Sequence, residues 1–121
     1  MAYRDIKKGW KEIRRIENQI RDDILDRIQV VCCTCIGAGN EILDGRRFPQ
    51  VLIDEATQAT EPASLVPLTR GARQVVLVGD HKQLPPTVIS FRAEEKGLKR
   101  SLFERLVDLG IEPLLLSTQY R

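Results

Sequence analysis

The chain has 121 residues, of which 42% are hydrophobic and 30% are charged, and this is the composition of an ordinary globular protein. Aromatic residues make up only 5% of the chain and the net charge is +2, so neither base stacking nor charge alone indicates a nucleic-acid-binding protein. The sequence contains no apolar run of membrane-spanning length and no signal-peptide pattern at its start, which predicts a protein of the cytoplasm or the nucleus with no membrane partner.

A long amphipathic helix is predicted at the start of the chain, over residues 3–28. Its apolar residues recur every three or four positions and therefore share one face of a helix: Ile6, Trp10, Ile13, Ile16, Ile20, Ile24 and Ile28. Basic residues lie mainly off this stripe: Lys7, Lys8, Lys11, Arg14, Arg15 and Arg21. They form either a solvated face, which is the usual fate of a charge run, or a track for the phosphate backbone of a nucleic acid.

Four short apolar segments alternate with helical patterns farther along the chain. Buried strands are predicted at residues 30–36, 51–53, 74–78 and 114–116. One helix is predicted to begin after Thr60 and to stop at Gly71, and another to begin with a capping box of Ser101 and Glu104 and to end at Gly110. Strands that alternate with helices predict a parallel α/β sheet.

Polar clusters follow three of these predicted strands, at residues 54–55, 80–83 and 119–121. In open α/β sheets, ligands bind beyond the carboxyl ends of the strands. The convergence of these clusters at one edge of the sheet is the main indication of a functional site.

Two adjacent carboxylates, Asp54 and Glu55, follow the second predicted strand. They suit a nucleotide–magnesium site, where the first carboxylate orients Mg²⁺ through its waters and the second takes a proton from an attacking water. The alternative is that the pair only caps a helix, because buried strands are often followed by such caps.

The most informative stretch is Gly79 to Pro86, which follows the third predicted strand. Gln83 is a candidate to hydrogen-bond a transferring phosphoryl group or its water, as glutamines do in other nucleotide hydrolases. The alternative is an ordinary turn with a proline stop. The single histidine, His81, is expected to be an orienting or surface group and not a metal ligand.

Other candidate motifs are incomplete. Cys32, Cys33 and Cys35 form one cluster without a second pair, so we expect buried small side chains and no zinc. The glycines at 37 and 39 lack the third glycine of a dinucleotide fingerprint, since that position is Ile42. No Gly-Lys-Ser or Gly-Lys-Thr occurs, so the chain contains no phosphate-binding P-loop.

Taken together, these motifs resemble superfamily 1B helicases of the up-frameshift type, which act in nonsense-mediated mRNA decay. The matching segments run in order from about residue 26 to residue 121: VVCCTCIGAG at 30–39, VLIDEATQATEP at 51–62, LVGDHKQLPP at 77–86, SLFERL at 101–106 and QYR at 119–121. The resemblance implies an ATP-dependent helicase that uses ATP and Mg²⁺ and acts on single-stranded nucleic acid, RNA more than DNA. The remainder of the motor would be a further partner.

The resemblance also implies a role for each matching residue. Asp54 resembles the magnesium-associated acid, Glu55 the base that activates water, and Gln83 the sensor of the γ-phosphate. Arg121 resembles an arginine that contacts the γ-phosphate, and Tyr120 lies where the family places a residue near the adenine. The nucleic-acid backbone would pass Thr34 and Gly37.

We therefore expect an α/β fold, namely a RecA-like half-domain that lacks the P-loop strand. Residues 1–28 would form the amphipathic N-terminal helix, and residues 29–121 the C-terminal part of a helicase motor domain. The alternative function is that of a non-catalytic fragment with at most weak nucleotide or nucleic-acid binding.

Overall fold

A computed structural model of the chain describes residues 2–120, and the chain divides after Cys32 into two structural units. The first unit is dominated by helix α1, Ala2–Arg27. Ile28 extends its hydrogen bonding, because its amide donates to the carbonyl of Ile24 at 3.2 Å. No helix within residues 2–120 is long and apolar enough to cross a membrane.

The second unit is built on two parallel strands, β1 at Gln50–Ile53 and β2 at Gln74–Leu77. The register pairs Gln50 with Gln74 and Ile53 with Leu77. The side-chain amide of Gln50 donates to that of Gln74 at 3.2 Å, which extends the pairing to the surface. The described part of the chain is therefore a mixed α/β fold around a small parallel sheet, and the α/β prediction is confirmed at this level.

Helix α2, Glu61–Leu68, connects the two strands. It begins after Thr60, as predicted, but the Thr60 side chain makes no capping hydrogen bond. The chain leaves the helix through Gly71, whose φ of +91° is readily adopted only by glycine. This crossover allows β2 to return parallel to β1.

Two further helices follow β2, α3 at Phe91–Glu95 and α4 at Leu102–Asp108. Ser101 caps α4, since its hydroxyl accepts a hydrogen bond from the Glu104 amide at 3.1 Å. Helix α4 packs against a short 3-10 helix at Ala56–Gln58, directly after β1. Among the described residues, the buried hydrophobic side chains include Ala38, Leu43, Ile53, Ala56 and Leu102.

The predicted strands at residues 30–36 and 114–116 are wrong. Neither segment pairs with another strand among residues 2–120, and both are largely exposed. Val30 is 74% and Ile36 67% exposed, and the exposures of Leu114, Leu115 and Leu116 are 95%, 89% and 86%. An apolar run becomes a strand only where a neighbouring strand satisfies its N–H and C=O groups, and no described strand lies beside these segments.

Arg70 fastens the loop that precedes β1. Its guanidinium donates to three backbone carbonyls, those of Ala38 at 2.9 Å, Asn40 at 3.1 Å and Leu43 at 3.4 Å. It also forms an ion pair with Asp44 at 2.7 Å. Because the planar guanidinium carries five donors in a fixed fork, one side chain reaches several carbonyls of the loop at once. Two of these carbonyls also accept backbone hydrogen bonds, that of Asn40 from the Leu43 amide and that of Leu43 from the Arg46 amide.

A second arginine, Arg105, joins α4 to the first residue of α2. Its Nε lies 2.9 and 2.8 Å from the two carboxylate oxygens of Glu61, and its Nη2 lies 2.7 Å from one of them. These hydrogen bonds hold the pKa of Glu61 below its ordinary value of 4.5, with a smaller contribution from the charge of Arg100, while partial burial opposes the shift. The carboxylate also lies in the first turn of α2, where a negative charge is favourable.

Replacement of Arg70 by lysine is expected to lower the free energy of unfolding by about 2 kcal/mol, because an ammonium group cannot reach all of these acceptors at once. Urea unfolding of the chain measures the change. Arg92→Lys on α3, whose residues are exposed or half-buried, is the matched control and should change stability by less than about 0.5 kcal/mol. Equal losses of unfolding free energy in the two variants would contradict a structural role for the Arg70 guanidinium.

Stability should fall in acid partly through Glu61. Its pKa is lowered by folding, so its contribution is present above its ordinary value of 4.5 and is lost as the pH falls through the folded pKa. Wild type and Glu61→Gln should therefore differ in urea midpoint near neutral pH and converge once the pH has fallen below the folded pKa of Glu61, where both side chains are neutral. A difference that persists unchanged in acid would show that the ion pair is not its source.

Candidate functional site

The ends of β1 and β2 are tied together by backbone hydrogen bonds that continue past the strands. The Val78 amide donates to the Ile53 carbonyl at 2.9 Å, and the Ala56 amide donates to the Val78 carbonyl at 2.8 Å. Gly79 then passes Thr57 so closely that a Cβ on Gly79 would lie 3.0 Å from the threonine side chain and 3.1 Å from its amide nitrogen. The segments after the two strands are therefore brought together at one edge of the sheet, as predicted.

Glu55 has an unusual backbone conformation at this edge. Its φ of 51° and ψ of 37° lie in the left-handed region, and it is the one non-glycine residue with positive φ among residues 2–120. The Asp54 carboxylate accepts a hydrogen bond from the Glu55 amide at 3.0 Å, and the Glu55 carboxylate accepts one from the side-chain amide of Gln58 at 3.1 Å. Both carboxylates are exposed, and strained backbone of this kind is concentrated at functional sites.

The segment after β2 is organised around Asp80. Its carboxylate accepts hydrogen bonds from the Lys82 amide at 2.9 Å and from the Gln83 side-chain amide at 3.2 Å. These two bonds, and more weakly the charges of His81 and Lys82, lower the pKa of Asp80 below its ordinary value of 3.8. The Gln83 side chain, predicted to sense a phosphate, is thus held by the Asp80 carboxylate.

His81 and Pro86 connect this loop to its surroundings. The His81 ring stacks on Phe103 of α4, with ring centroids 6.3 Å apart and planes 17° apart, and Pro86 is almost completely buried. This placement agrees with the prediction that His81 is an orienting or surface group. The stacking on Phe103 also holds the loop against α4.

Thr34 and Gly37, the predicted contacts to nucleic acid, lie together in a turn. The Thr34 hydroxyl accepts a hydrogen bond from the Gly37 amide at 3.0 Å, and the Thr34 carbonyl accepts one from the Ala38 amide at 3.0 Å. A Cβ on Gly37 would lie 3.0 Å from the same hydroxyl. The 3-10 helix Gly37–Gly39 that follows packs against α2.

The described part of the C-terminal cluster is not carried by a strand. Tyr120 is 94% exposed, and residues 111–120 contain no regular secondary structure. Arg121 lies outside the described residues. The sequence-based placement of Gln119 and Tyr120 at a strand end is therefore wrong, because the predicted strand at residues 114–116 does not form.

The cysteines differ from their prediction as buried side chains. Cys32 and Cys33 are exposed, and Cys35 is half-buried. Partial burial, and to a lesser extent the nearby Cys33, raises the pKa of the Cys35 thiol. Within residues 2–120, no group of three or more His, Cys, Asp or Glu side chains is placed to hold a metal ion.

Three side chains of the site were given no role by the sequence analysis, although Asp80 lies in one of its predicted polar clusters. Gln58 and Asp80 hold Glu55 and Gln83 through pairs three residues apart, and that spacing is the signal that would have found them. Thr57 is buried, with a hydroxyl oxygen that lacks a hydrogen-bond partner. No sequence pattern indicated its close approach to Gly79.

Comparison with known proteins gives one family match and several close relatives. The AAA domain family matches residues 2–91. The chain is 51% identical over all 121 residues to the ATP-dependent helicase NAM7 of Saccharomyces cerevisiae, of which it covers 12%. It is 52% identical over 114 residues (94% of the chain) to the regulator of nonsense transcripts 1 homolog of Arabidopsis thaliana, of which it covers 9%. It is also 47% identical over 100 residues (81% of the chain) to the 5'-3' DNA helicase ZGRF1 of Mus musculus, of which it covers 5%.

These matches confirm the resemblance to the up-frameshift helicases. The match to the yeast helicase also includes residues 1–25, which lay outside the stretch that the motifs covered. The chain spans about a tenth of the length of its yeast and plant relatives.

The strain at Glu55 predicts an unusual ranking of variants. Glu55→Gly and Glu55→Ala both remove the carboxylate and its bond to Gln58, but only glycine relieves the left-handed backbone. We expect the glycine variant to be more stable than the alanine variant by about 1 kcal/mol in urea unfolding.

The control is the same pair of substitutions at Glu104, an exposed position in α4. There the ranking should invert, with glycine less stable than alanine by about 1 kcal/mol, because glycine disfavours a helix interior. The same ranking at both positions would show that Glu55 is not strained.

Proposed function

The chain belongs to the AAA domain family, and on that basis we propose that it forms the ATP-hydrolysing part of a nucleic-acid helicase motor. In this proposal its sheet is part of a RecA-like domain whose phosphate-binding strand lies outside the 121 residues. The observation that carries the proposal is the junction of the two strand ends, which gathers Asp54, Glu55, Asp80 and Gln83 at one edge.

The residues at this edge fit Mg²⁺ and a nucleotide. Mg²⁺ keeps several of its waters and is usually held by one or two carboxylates together with phosphate oxygens, so the exposed oxygens of Asp54 suit it. When bound, ATP with Mg²⁺ supplies the phosphoryl group that is transferred to water. Asp54 would orient the ion through its waters, and Glu55 would accept the proton of the attacking water.

The remaining proposed roles concern the γ-phosphate and the nucleic acid. Gln83 would exchange its hydrogen bond to Asp80 for one to the γ-phosphate, which links nucleotide state to the loop. Arg121 would contact the same phosphate, and Tyr120 would lie near the adenine. Thr34 and Gly37 would meet the nucleic-acid backbone, to which the exposed Thr34 offers its hydroxyl.

We propose single-stranded RNA as the substrate, in preference to DNA. The yeast relative is named only as an ATP-dependent helicase, but the Arabidopsis relative is named a regulator of nonsense transcripts and is more similar than the mouse DNA helicase. The rest of the motor would be the main protein partner, and the cytoplasm or the nucleus the location.

A second candidate function applies to the 121-residue polypeptide acting by itself. Because its sequence contains no Gly-Lys-Ser or Gly-Lys-Thr, it lacks the loop that cradles phosphates. Alone, it would be a module with at most weak nucleotide or nucleic-acid binding and no ATP hydrolysis above background.

A chimera separates the two candidates. The chain replaces the equivalent segment of the yeast helicase NAM7, to which it is 51% identical over its full length. We expect the chimera to hydrolyse ATP in a manner stimulated by single-stranded RNA, and the isolated chain to hydrolyse none. In the chimera, Glu55→Gln should lower turnover by at least about 100-fold while ATP binding is retained, because only the base is lost.

Two further variants make this test specific. Gln83→Ala should reduce the stimulation by RNA more than it weakens ATP binding, and Glu95→Gln on α3 should behave like the unmodified chimera. Near-normal turnover of the Glu55→Gln chimera would refute the assignment of the base. Turnover by the isolated chain that disappears with Glu55→Gln would refute the requirement for an external phosphate-binding loop.

A further inference from the structure

Thr57 carries a buried hydroxyl that no described residue hydrogen-bonds. The residue is 4% exposed, and its Oγ1 has no partner among residues 2–120. An unpaired buried hydroxyl destabilises the folded state, whereas valine fills the same shape without a polar atom. The hydroxyl therefore lowers the stability of the fold as it stands, and its presence is explained if another state of the molecule supplies the partner.

Thr57 lies between the two segments that form the site. It belongs to the 3-10 helix Ala56–Gln58, which follows Asp54 and Glu55. On its other side, a Cβ on Gly79 would lie 3.0 Å from both the Oγ1 and the Cγ2 atom of Thr57. The unpaired hydroxyl is therefore close to the Gly79 backbone, in the junction that joins the carboxylates after β1 to the loop after β2.

Gly79 is the first residue after β2 that the sheet does not hold. The preceding Val78 is fixed on both sides, because its amide donates to the Ile53 carbonyl at 2.9 Å and its carbonyl accepts from the Ala56 amide at 2.8 Å. The Gly79 carbonyl, in contrast, accepts no backbone hydrogen bond from residues 2–120. Since glycine permits backbone rotation that other residues resist, Gly79 is the position at which the loop after β2 can turn relative to the sheet.

That loop carries Gln83, for which the proposed function gives two partners. In the structure its side-chain amide donates to the Asp80 carboxylate at 3.2 Å, and in the proposed function it donates to the γ-phosphate. Asp80 also accepts from the backbone amides of Lys82 at 2.9 Å and Gln83 at 3.1 Å, so residues 80–83 form one hydrogen-bonded turn. A change of partner at Gln83 disturbs this turn, and the rotation falls on Gly79 because Val78 is fixed.

We propose that Thr57 is a positioning residue for Gln83. When Gln83 leaves Asp80 for the γ-phosphate, the peptide group after Gly79 turns, and the Thr57 hydroxyl donates a hydrogen bond to the Gly79 carbonyl. This bond holds the loop in its nucleotide-bound position and ties it to the segment that carries Glu55. The role of Thr57 rests on the proposed function, since it requires that Gln83 contacts the γ-phosphate.

Two substitutions test this role in the chimera with the yeast helicase. Thr57→Val removes the hydroxyl and keeps the shape, whereas Thr57→Ser keeps the hydroxyl. We expect Thr57→Val to lower RNA-stimulated kcat by about 10-fold, the loss that corresponds to one hydrogen bond made only in the reacting state, with KM for ATP unchanged within about twofold. Thr57→Ser should retain at least about half of the kcat.

Ser64 in α2 provides a matched control, because it is a second buried hydroxyl without a partner among the described residues. Neither Ser64→Ala nor Thr57→Val should lower the urea midpoint of the chain or the Tm of the nucleotide-free chimera, since each removes an unpaired polar group. Only Thr57→Val should slow the chimera. A lower midpoint or Tm for Thr57→Val would show that its hydroxyl is already paired without nucleotide, and would overturn the proposal.

A double variant identifies the group through which Thr57 acts. If it acts through Gln83, the chimera with Thr57→Val and Gln83→Ala should show the same stimulation by RNA as Gln83→Ala alone, because the positioned side chain is already gone. A further loss of stimulation in the double variant would overturn the proposal.

The same measurements separate the role of Thr57 from the proposed function. An unmodified chimera without RNA-stimulated hydrolysis would overturn both. A chimera that is active and is slowed by Glu55→Gln, but in which Thr57→Val turns over as fast as Thr57→Ser, would overturn the role of Thr57 alone.

Discussion

The parallel pairing of β1 with β2 is the constraint on which the rest of the second unit depends. Its last hydrogen bonds, from Val78 to Ile53 and from Ala56 to Val78, extend beyond the strands and fix how both segments leave the sheet. Gly79 allows this close approach, because a Cβ there would lie 3.0 Å from the Thr57 side chain and one of the two segments would have to shift. Without this junction, the carboxylates after β1 and the loop after β2 would be unrelated in space, and the edge would not be a site.

Polar contacts secure the elements around this junction. Arg70 donates hydrogen bonds to backbone carbonyls of the loop that contains Gly37–Gly39. Arg105 hydrogen-bonds Glu61 and so connects α4 to the start of α2. At the site itself, Glu55 and Asp80 each accept a hydrogen bond from a glutamine three residues farther along the chain. The amides thus order two exposed carboxylates without burying them, which leaves their oxygens accessible to solvent and to ligands.

Exposed apolar surface is the other property that unites the chain. The α1 stripe, the Leu114–Leu116 run and Leu52 of β1 all remain exposed, although their composition is typical of buried positions. Contiguous apolar surface of this kind marks places where another chain or another part of the same protein binds. The yeast and plant relatives that this chain matches are about ten times its length.

The sequence by itself determined the two paired strands, the helices that begin after Thr60 and Ser101, and the carboxylates and glutamine at the strand ends. These depend on local signals, namely short β-branched runs, capping residues and the order of the motifs. Tertiary structure decided the rest. Residues 30–36 and 114–116 have the composition of strands but no neighbouring strand, and hydrogen bonding between strands is not encoded within one segment. Other features likewise depend on groups that only the folded chain brings together. They are the left-handed backbone of Glu55, the hydrogen bond from Gln83 to Asp80 and the hydrogen bonds of the Arg70 guanidinium.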